Sequence, residues 1–338
     1  MKCERDILVS VVVPAFNRPK LLEELIDSLW DQTLSPSLYE IIIVDNCSTS
    51  DELRSKVEEW QARSPCHMVF HRMPVNMGPA PARNAGAALA RAEIIAFTDD
   101  DCRACREWLA SGLEGFINGE QVGFVCGPVL NKPGQPTTFF SIGAPLPGET
   151  PMYPTANVFY RKKVLREVGG FDKGVWLGEW KGAKGIALES SDTDLAWRTK
   201  EQGYTCVFQP NATIFHEVKT VSPIKWIMVN SRHSLVPLLV RRHPGFRERI
   251  MWWGPFVLAD NARFYLAVLG IALSIITRGS SLLLALPFAY WAAVVPGRVF
   301  SPTRLPIMAA RIILLFARQA AICGFLLYGS IRARTLVM

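Results

Sequence analysis

Three short runs of consecutive apolar, mostly β-branched residues set the strongest limit on the fold: residues 7–13 (ILVSVVV), 41–44 (IIIV) and 94–97 (IIAF). A run that is apolar at consecutive positions, rather than at alternate ones, reads as a strand covered on both faces. Residues 67–71 add a further short strand, third in chain order. Between them, apolar residues at 21, 22, 25, 26, 29 and 30 have the spacing of a helix face, 51–62 reads as a polar-faced helix and 81–91 as an alanine-rich one. This β-α-β-α-β-α-β alternation calls for a mostly parallel sheet with helices on both faces. Such sheets collect ligands in the crevice outside the carboxyl ends of their strands. Polar residues stand there: Asn17 and Arg18 follow the first strand, which Pro14 is read as ending, Asp45 ends the second, and Asp99-Asp100-Asp101 follows the fourth.

Charge divides the 338 residues in two. From residue 221 onward there are 14 Lys/Arg and only Glu248 and Asp260 as acids, a balance of +12, while residues 1–220 hold 23 bases and 28 acids, a balance of −5. The basic part is also the apolar part, which fits an anionic membrane surface and argues against a nucleic-acid partner. Three apolar segments, 256–277, 281–296 and 306–328, lie in it. A membrane span needs about 20 apolar residues, and these are interrupted or short. The third carries Arg311 and Arg318, which with Arg304 repeat every seven residues on one helix face, as in a helix lying at a bilayer surface. Residues 264–296 have the makings of a tight pair of spans turning at Arg278-Gly279-Ser280-Ser281; an ordinary buried helical subdomain is the plain alternative. The expected division is 1–220 as a catalytic domain, 221–255 as a basic juxtamembrane segment and 256–338 as a hydrophobic helical region. With no cleavable leader visible and irregularly spaced cysteines, the first 220 residues are expected in the cytoplasm.

Three adjacent carboxylates repel one another, and a cation would relieve them. In an extended segment Asp99 and Asp101 point the same way and can share a divalent metal; a solvated acidic turn is the alternative. Cys102 and Cys105 lack the second pair a zinc site needs.

Taken in order, VSVVVPAFNR, IIIVDNCSTSD, NMGPAPARNAG, IIAFTDDD, TANVFYRKKVLREVGGFD, SSDTDLAWRTKEQGY and FQPNATIFH resemble the motifs of glycosyltransferase family 2 over residues 8 to about 217. The resemblance implies a GT-A fold, an α/β, Rossmann-like nucleotide-diphospho-sugar transferase domain with a mostly parallel sheet, here followed by an α-helical membrane-associated region. It implies a donor site formed by Pro14, Ala15, Asn17, Arg18, Asp45, Arg83, Asp99 and Asp100, with Asp45 holding the base. It implies Mn²⁺ or Mg²⁺ on Asp99, Asp101 and His216, a turn at Gly170, Phe171 and Asp172 below the acceptor site, and Asp192 as the catalytic base; Trp176 and Trp180, on the same acceptor side, could stack on a sugar ring or simply pack. The usual Glu-Asp pair is Ser191-Asp192 here, which leaves Glu189 and Asp194 as other possible bases, and Asn46 stands where many members carry aspartate. A mobile or merely solvated glycine-rich loop with Lys181 and Lys184 precedes them. The implied reaction is inverting, metal-dependent transfer from a nucleotide-sugar to a hydroxyl of a lipid-linked or cell-envelope glycan, at the inner or plasma membrane. The rivals are a polyprenyl-phosphate glycosyltransferase and an inactive membrane-anchored scaffold.

Overall fold

The computed structural model describes residues 7–117, 119–143, 145–172, 190–274, 276–289 and 305–338. The described residues fall into two compact units, divided between Thr220 and Val221.

In the first unit, strands β1 (Val9–Ala15), β2 (Tyr39–Asp45), β3 (His67–Arg72) and β4 (Ile94–Phe97) form on the four expected runs. Helices α1 (Pro19–Trp30), α2 (Glu52–Arg63) and α3 (Pro79–Leu89) alternate with them. β1 continues through Pro14, against expectation. Its pairing with β4 ends at Val12, so the N–H that Pro14 lacks has no strand to meet on that side. The chain then gives β5 (Cys102–Ala104), α4 (Trp108–Glu114), β6 (Val122–Cys126), β7 (Val129–Asn131), β8 (Ser141–Ile142), β9 (Val158–Arg161) and α5 (Lys162–Glu167). It closes with α6 (Ser191–Glu201), β10 (Thr205–Phe208), β11 (Ile214–His216) and β12 (Lys219–Thr220).

Seven strands make one sheet in the order β10-β6-β9-β4-β1-β2-β3. All neighbours are parallel except β9, which runs antiparallel to β4 and β6. β2 and β3 build outward on one side of β1 and β4 lies on its other side, so the strand order reverses beside β1. The crevice at such a reversal, past the carboxyl ends of β1 and β4, is where this sheet class admits a ligand. The α1 face Leu22, Leu25, Ile26 and Leu29 is wholly buried against the sheet, worth at most about 1.5–3 kcal/mol per side chain. α3 sits closer still: a Cβ on Gly86 would lie 2.4 Å from Val12 Cγ1.

A second, three-stranded sheet runs β5-β11-β7. Its register sets His216 opposite Cys102, and the Glu217 amide donates to the Asp101 carbonyl at 3.1 Å, so the last strand returns directly beside the carboxylate run.

The second unit is helical: α7 (Pro223–Met228), a 3-10 segment (Val229–Leu235), α8 (Val236–Arg242), α9 (Pro244–Ile250), α10 (Ala259–Leu273), a further 3-10 segment (Ser280–Ala285) and α11 (Leu305–Ala333). The turn expected near 278 is present, with Arg278 and Gly279 both at positive φ. It joins α10 to the following segment closely enough that a Cβ on Gly270 would meet the Ser281 carbonyl at 2.5 Å. α10, at 15 residues, is too short to cross a bilayer. Among the described residues one helical stretch, Ala310–Ala333, is long and apolar enough to cross a membrane.

Candidate functional site

The carboxylate run is a turn, not an extended segment: the Cys102 amide donates to the Asp99 carbonyl at 3.1 Å. The strand-like alternation expected of Asp99 and Asp101 is therefore lost, and the three side chains part. Asp99 Oδ1 accepts from Arg83 Nη2 at 2.8 Å. Asp100 turns toward the end of β1, where Oδ2 accepts from the Phe16 amide at 3.1 Å and Oδ1 from Arg18 Nη1 at 3.0 Å. Burial pushes its carboxyl up to about 6, with Arg18 opposing and Asp101 reinforcing the rise.

Asp101 is the hub. Its Oδ2 accepts from Arg18 Nη1 at 3.0 Å and from Lys219 Nζ, and its Oδ1 lies 3.2 Å from His216 Nε2. Burial alone would push this carboxyl up, but His216, Lys219 and Arg18 outweigh it and hold it below the usual range. Asp101 Oδ1 is buried without a hydrogen bond. With Nδ1 of His216 donating to the Glu217 carbonyl at 2.9 Å, Nε2 is a proton donor to that oxygen when the ring is charged and presents its lone pair to it when the ring is neutral. Two acceptors facing each other at this distance are reconciled by a shared cation, so the pair fits a divalent metal. Cys102 Sγ completes a group whose ligand atoms lie within 4.8 Å of one another. Burial pushes that thiol well above its ordinary range, so it stays protonated and is a poor ligand for a hard cation. Asp99, expected as a metal ligand, does not belong to this group.

The ends of β1 and β2 are tied together. Asn17, at φ 56°, accepts from the Thr49 amide at 2.8 Å, and its own amide donates to Ser48 Oγ at 3.0 Å. Asparagine is among the few side chains that take this left-handed backbone readily. Pro14 and Ala15 lie within β1 and shape the crevice edge through the backbone, the Ala15 carbonyl accepting from the Asn46 amide. Asp45 is completely buried. Its Oδ1 accepts from Ser48 N and Oγ at 2.9 and 2.6 Å, while Oδ2 has no hydrogen bond and faces Arg72 Nε at 3.4 Å. Asn46, the departure from the usual aspartate, donates to Asn76 Oδ1 and accepts from the Met77 amide. A carboxylate could not make the first of those bonds.

On the other side of the crevice Asn84 accepts from the Phe171 amide at 2.9 Å and donates to its carbonyl at 2.7 Å, and the Arg83 guanidinium lies 5.7 Å from the Phe171 ring centre. The Gly169-Gly170 turn has both residues at positive φ, and a Cβ on Gly170 would reach 2.6 Å from Asn84 Oδ1, so glycine is required there. Asp194, wholly buried, pairs with Arg198 at 2.8 Å, and Arg198 donates to the Val168 and Gly170 carbonyls. Asp194 is thus an anchor for that turn rather than a free base. Asp192 occupies the first turn of α6, half-buried, its Oδ1 accepting from the Thr193 amide at 2.8 Å. Asp172 follows the turn. Trp176, Trp180, Lys181, Lys184 and Glu189 lie outside the described residues. A cavity of about 310 Å³ between α3 and α5 is lined by Asn84, Ala87, Lys162 and Phe171, among others, and by none of the three carboxylates of the run.

Lys219 and Arg72 are absent from the sequence reading. Arg72 was legible: it ends β3 in register with Asp45. Lys219 lies three residues past the last recognised motif, and only the return of β11 beside Asp101 gives it meaning.

Comparison with known proteins follows the same residues. Residues 10–169 match the profile of glycosyl transferase family 2. A pre-mycofactocin glycosyltransferase of Mycobacterium tuberculosis is 30% identical over 256 residues, which cover 70% of this chain and 48% of that protein. The chain thus spans about half the length of that relative. A poly(ribitol-phosphate) beta-glucosyltransferase of Bacillus spizizenii is 34% identical over 93 residues, covering 28% of this chain and 14% of its own. Among solved structures, a mannosyltransferase of Pyrobaculum calidifontis in complex with GDP-Man and Mn²⁺ superposes with a TM-score of 0.57 at 18% identity, covering 96% of this chain and 86% of that one. Residues 1–349 of S. aureus TarS in complex with UDP-GlcNAc give 0.51 at 19% identity, covering 97% and 93%.

Proposed function

Because the chain belongs to glycosyltransferase family 2, we propose that it transfers a sugar from a nucleotide-sugar, with inversion and with a divalent metal, to a hydroxyl of a membrane-attached glycan acceptor. The observation that carries this reading is the meeting of Asp101, His216, Arg18 and Lys219 at the point where the strand order reverses. Relatives named for transfer to mycofactocin precursors and poly(ribitol-phosphate) and fold neighbours holding GDP-Man and UDP-GlcNAc support it.

Asp101 and His216 would hold Mn²⁺ or Mg²⁺, which when bound supplies Lewis-acid stabilisation of the charge on the departing diphosphate. Arg18 and Lys219 would leave Asp101 for the diphosphate oxygens, guanidinium and ammonium both being phosphate partners. Arg83, held by Asp99 over Phe171, flanks the same space, and Asp45 Oδ2 is the acceptor left for an imide or amine edge of the base. Asp192 would take the proton from the acceptor hydroxyl as its oxygen attacks opposite the leaving group, a single displacement that inverts the anomeric centre. The +12 second unit, with Ala310–Ala333, would hold the enzyme at the cytoplasmic face of a membrane, where the acceptor is.

Asp192→Asn tests the base. Loss of transfer of at least a hundredfold, with donor affinity unchanged, is expected; unchanged turnover would remove Asp192 from the mechanism.

A further inference from the structure

The second unit contains a guanidinium whose charge the described protein does not compensate. Arg318, on α11, lies over the Trp226 ring at 4.7 Å from its centre. Its one hydrogen bond among the described residues, from Nη2 to Asn230 Oδ1, is long at 3.4 Å, and its Nε is buried with no partner. Asn230 commits its own amide to the Trp226 and Ile227 carbonyls, so its oxygen is the best it offers. Next in the chain, Ser231 is 3% exposed and its Oγ is buried with no hydrogen bond. Arg232 follows, exposed, and His233 bonds through Nδ1 to the Asn230 carbonyl at 2.8 Å.

The electrostatics of this corner are one-sided. Burial lowers the basicity of His233, and both Arg232 and Arg318 lower it further, so the two guanidinium groups act on the same imidazole. Of residues 221–338 only Glu248 and Asp260 are acidic, and Asp260 is bonded to Arg263. No described carboxylate forms an ion pair with Arg232 or Arg318. A partly buried guanidinium without a counter-ion is costly to fold, whereas an anion with several acceptor oxygens would repay that cost.

We infer that Arg318, Arg232 and the Ser231 hydroxyl form an anion site in the second unit that takes a phosphate group. Phosphate matches the donor set: a guanidinium offers two parallel N–H groups to its oxygens, and a serine hydroxyl offers a third donor. The helix that carries Arg318 is the apolar Ala310–Ala333 stretch, with Ile313 and Ile331 exposed on it, so a lipid headgroup and a free phosphate are both possible sources. Phosphate capture here is independent of sugar transfer by the first unit, and nucleotide binding by that unit serves as a separate check on its fold.

The full chain in detergent is tested in two arms. In the first, co-sedimentation with phosphatidylcholine vesicles is compared with and without phosphatidic acid. In the second, thermal stability is followed with inorganic phosphate against chloride at equal ionic strength. Arg232→Gln and Arg318→Gln are each expected to weaken binding about tenfold, Arg318→Lys to recover part of it, and Arg278→Gln, which removes one charge from an exposed turn, to weaken vesicle binding less and to leave the phosphate response unchanged. Arg232 is exposed, so its replacement keeps the test meaningful even where Arg318→Gln misfolds. A site-dependent response to the vesicles alone assigns the lipid headgroup; a response to inorganic phosphate assigns a free phosphate as well. Equal losses with Arg278→Gln, or no loss at Arg232→Gln in either arm, would overturn the site.

Discussion

Lys219 offers a perturbation with two opposite consequences. In the ligand-free protein its ammonium neutralises Asp101 together with Arg18 and His216. A hydrogen bond to a charged group is worth about 1.5–3 kcal/mol when desolvated, but the Lys219 side chain is 37% exposed, so solvent screening reduces this to about 1.4 kcal/mol, a tenfold effect. Lys219→Met takes one competing cation from Asp101, so Mn²⁺ alone should bind about tenfold more tightly. The same change takes one cation from the diphosphate, so UDP and GDP, titrated in the presence of Mn²⁺, should bind about tenfold more weakly. Free Mn²⁺ is counted by its electron paramagnetic resonance signal and the nucleotides by calorimetry, with circular dichroism confirming the fold. Weaker Mn²⁺ binding, or no change in either titration, would refute the counter-ion exchange at Asp101.

Gly86→Ala should lower stability by about 0–2 kcal/mol, because overpacking of about 1–3 kcal/mol against Val12 and Val44 exceeds the gain in helix propensity of about 1 kcal/mol; a raised melting temperature would contradict the close seating of α3 on β1. Glu40 is buried, and burial would push its carboxyl up, but bonds from Ser10 and Arg91 outweigh this and hold it below the ordinary range. Its contribution is therefore complete above the unfolded glutamate pKa of about 4.3 and is lost as pH falls below it. Denaturation of wild type and Glu40→Gln should give a stability gap that is constant from neutral pH to about pH 5 and narrows as pH falls below about 4; a gap that stays constant below about pH 4 as well would show that Glu40 is not held ionised by those bonds.

The sheet was legible because its strands are covered on both faces and so are written as unbroken apolar runs. β1 to β4 lie where Ile7–Val13, Ile41–Val44, His67–His71 and Ile94–Phe97 place them, apart from the extension through Pro14 that only the short reach of β4 permits. The site was legible as a set of strand-end positions but not as a set of contacts. Whether Asp99-Asp100-Asp101 runs extended or turns depends on one backbone hydrogen bond, and that bond sends Asp99 to Arg83, Asp100 to Arg18 and leaves Asp101 for His216. Lys219 acts through tertiary neighbours, which no local pattern records. In the second unit the arginine spacing on α11 was visible, yet the company Arg318 keeps is Trp226 and Asn230, some ninety residues earlier.

The enzyme is expected to use a nucleotide-sugar in a metal-dependent way at Asp101. Nucleotide release by the detergent-purified full chain, measured across a panel of UDP- and GDP-sugars with Mn²⁺, with Mg²⁺ and with EDTA, tests it most directly. Slow release from one donor, abolished by EDTA and by Asp101→Asn, is the expected result. Release that persists unchanged in EDTA and in Asp101→Asn, or no binding of any donor on the panel, would contradict it.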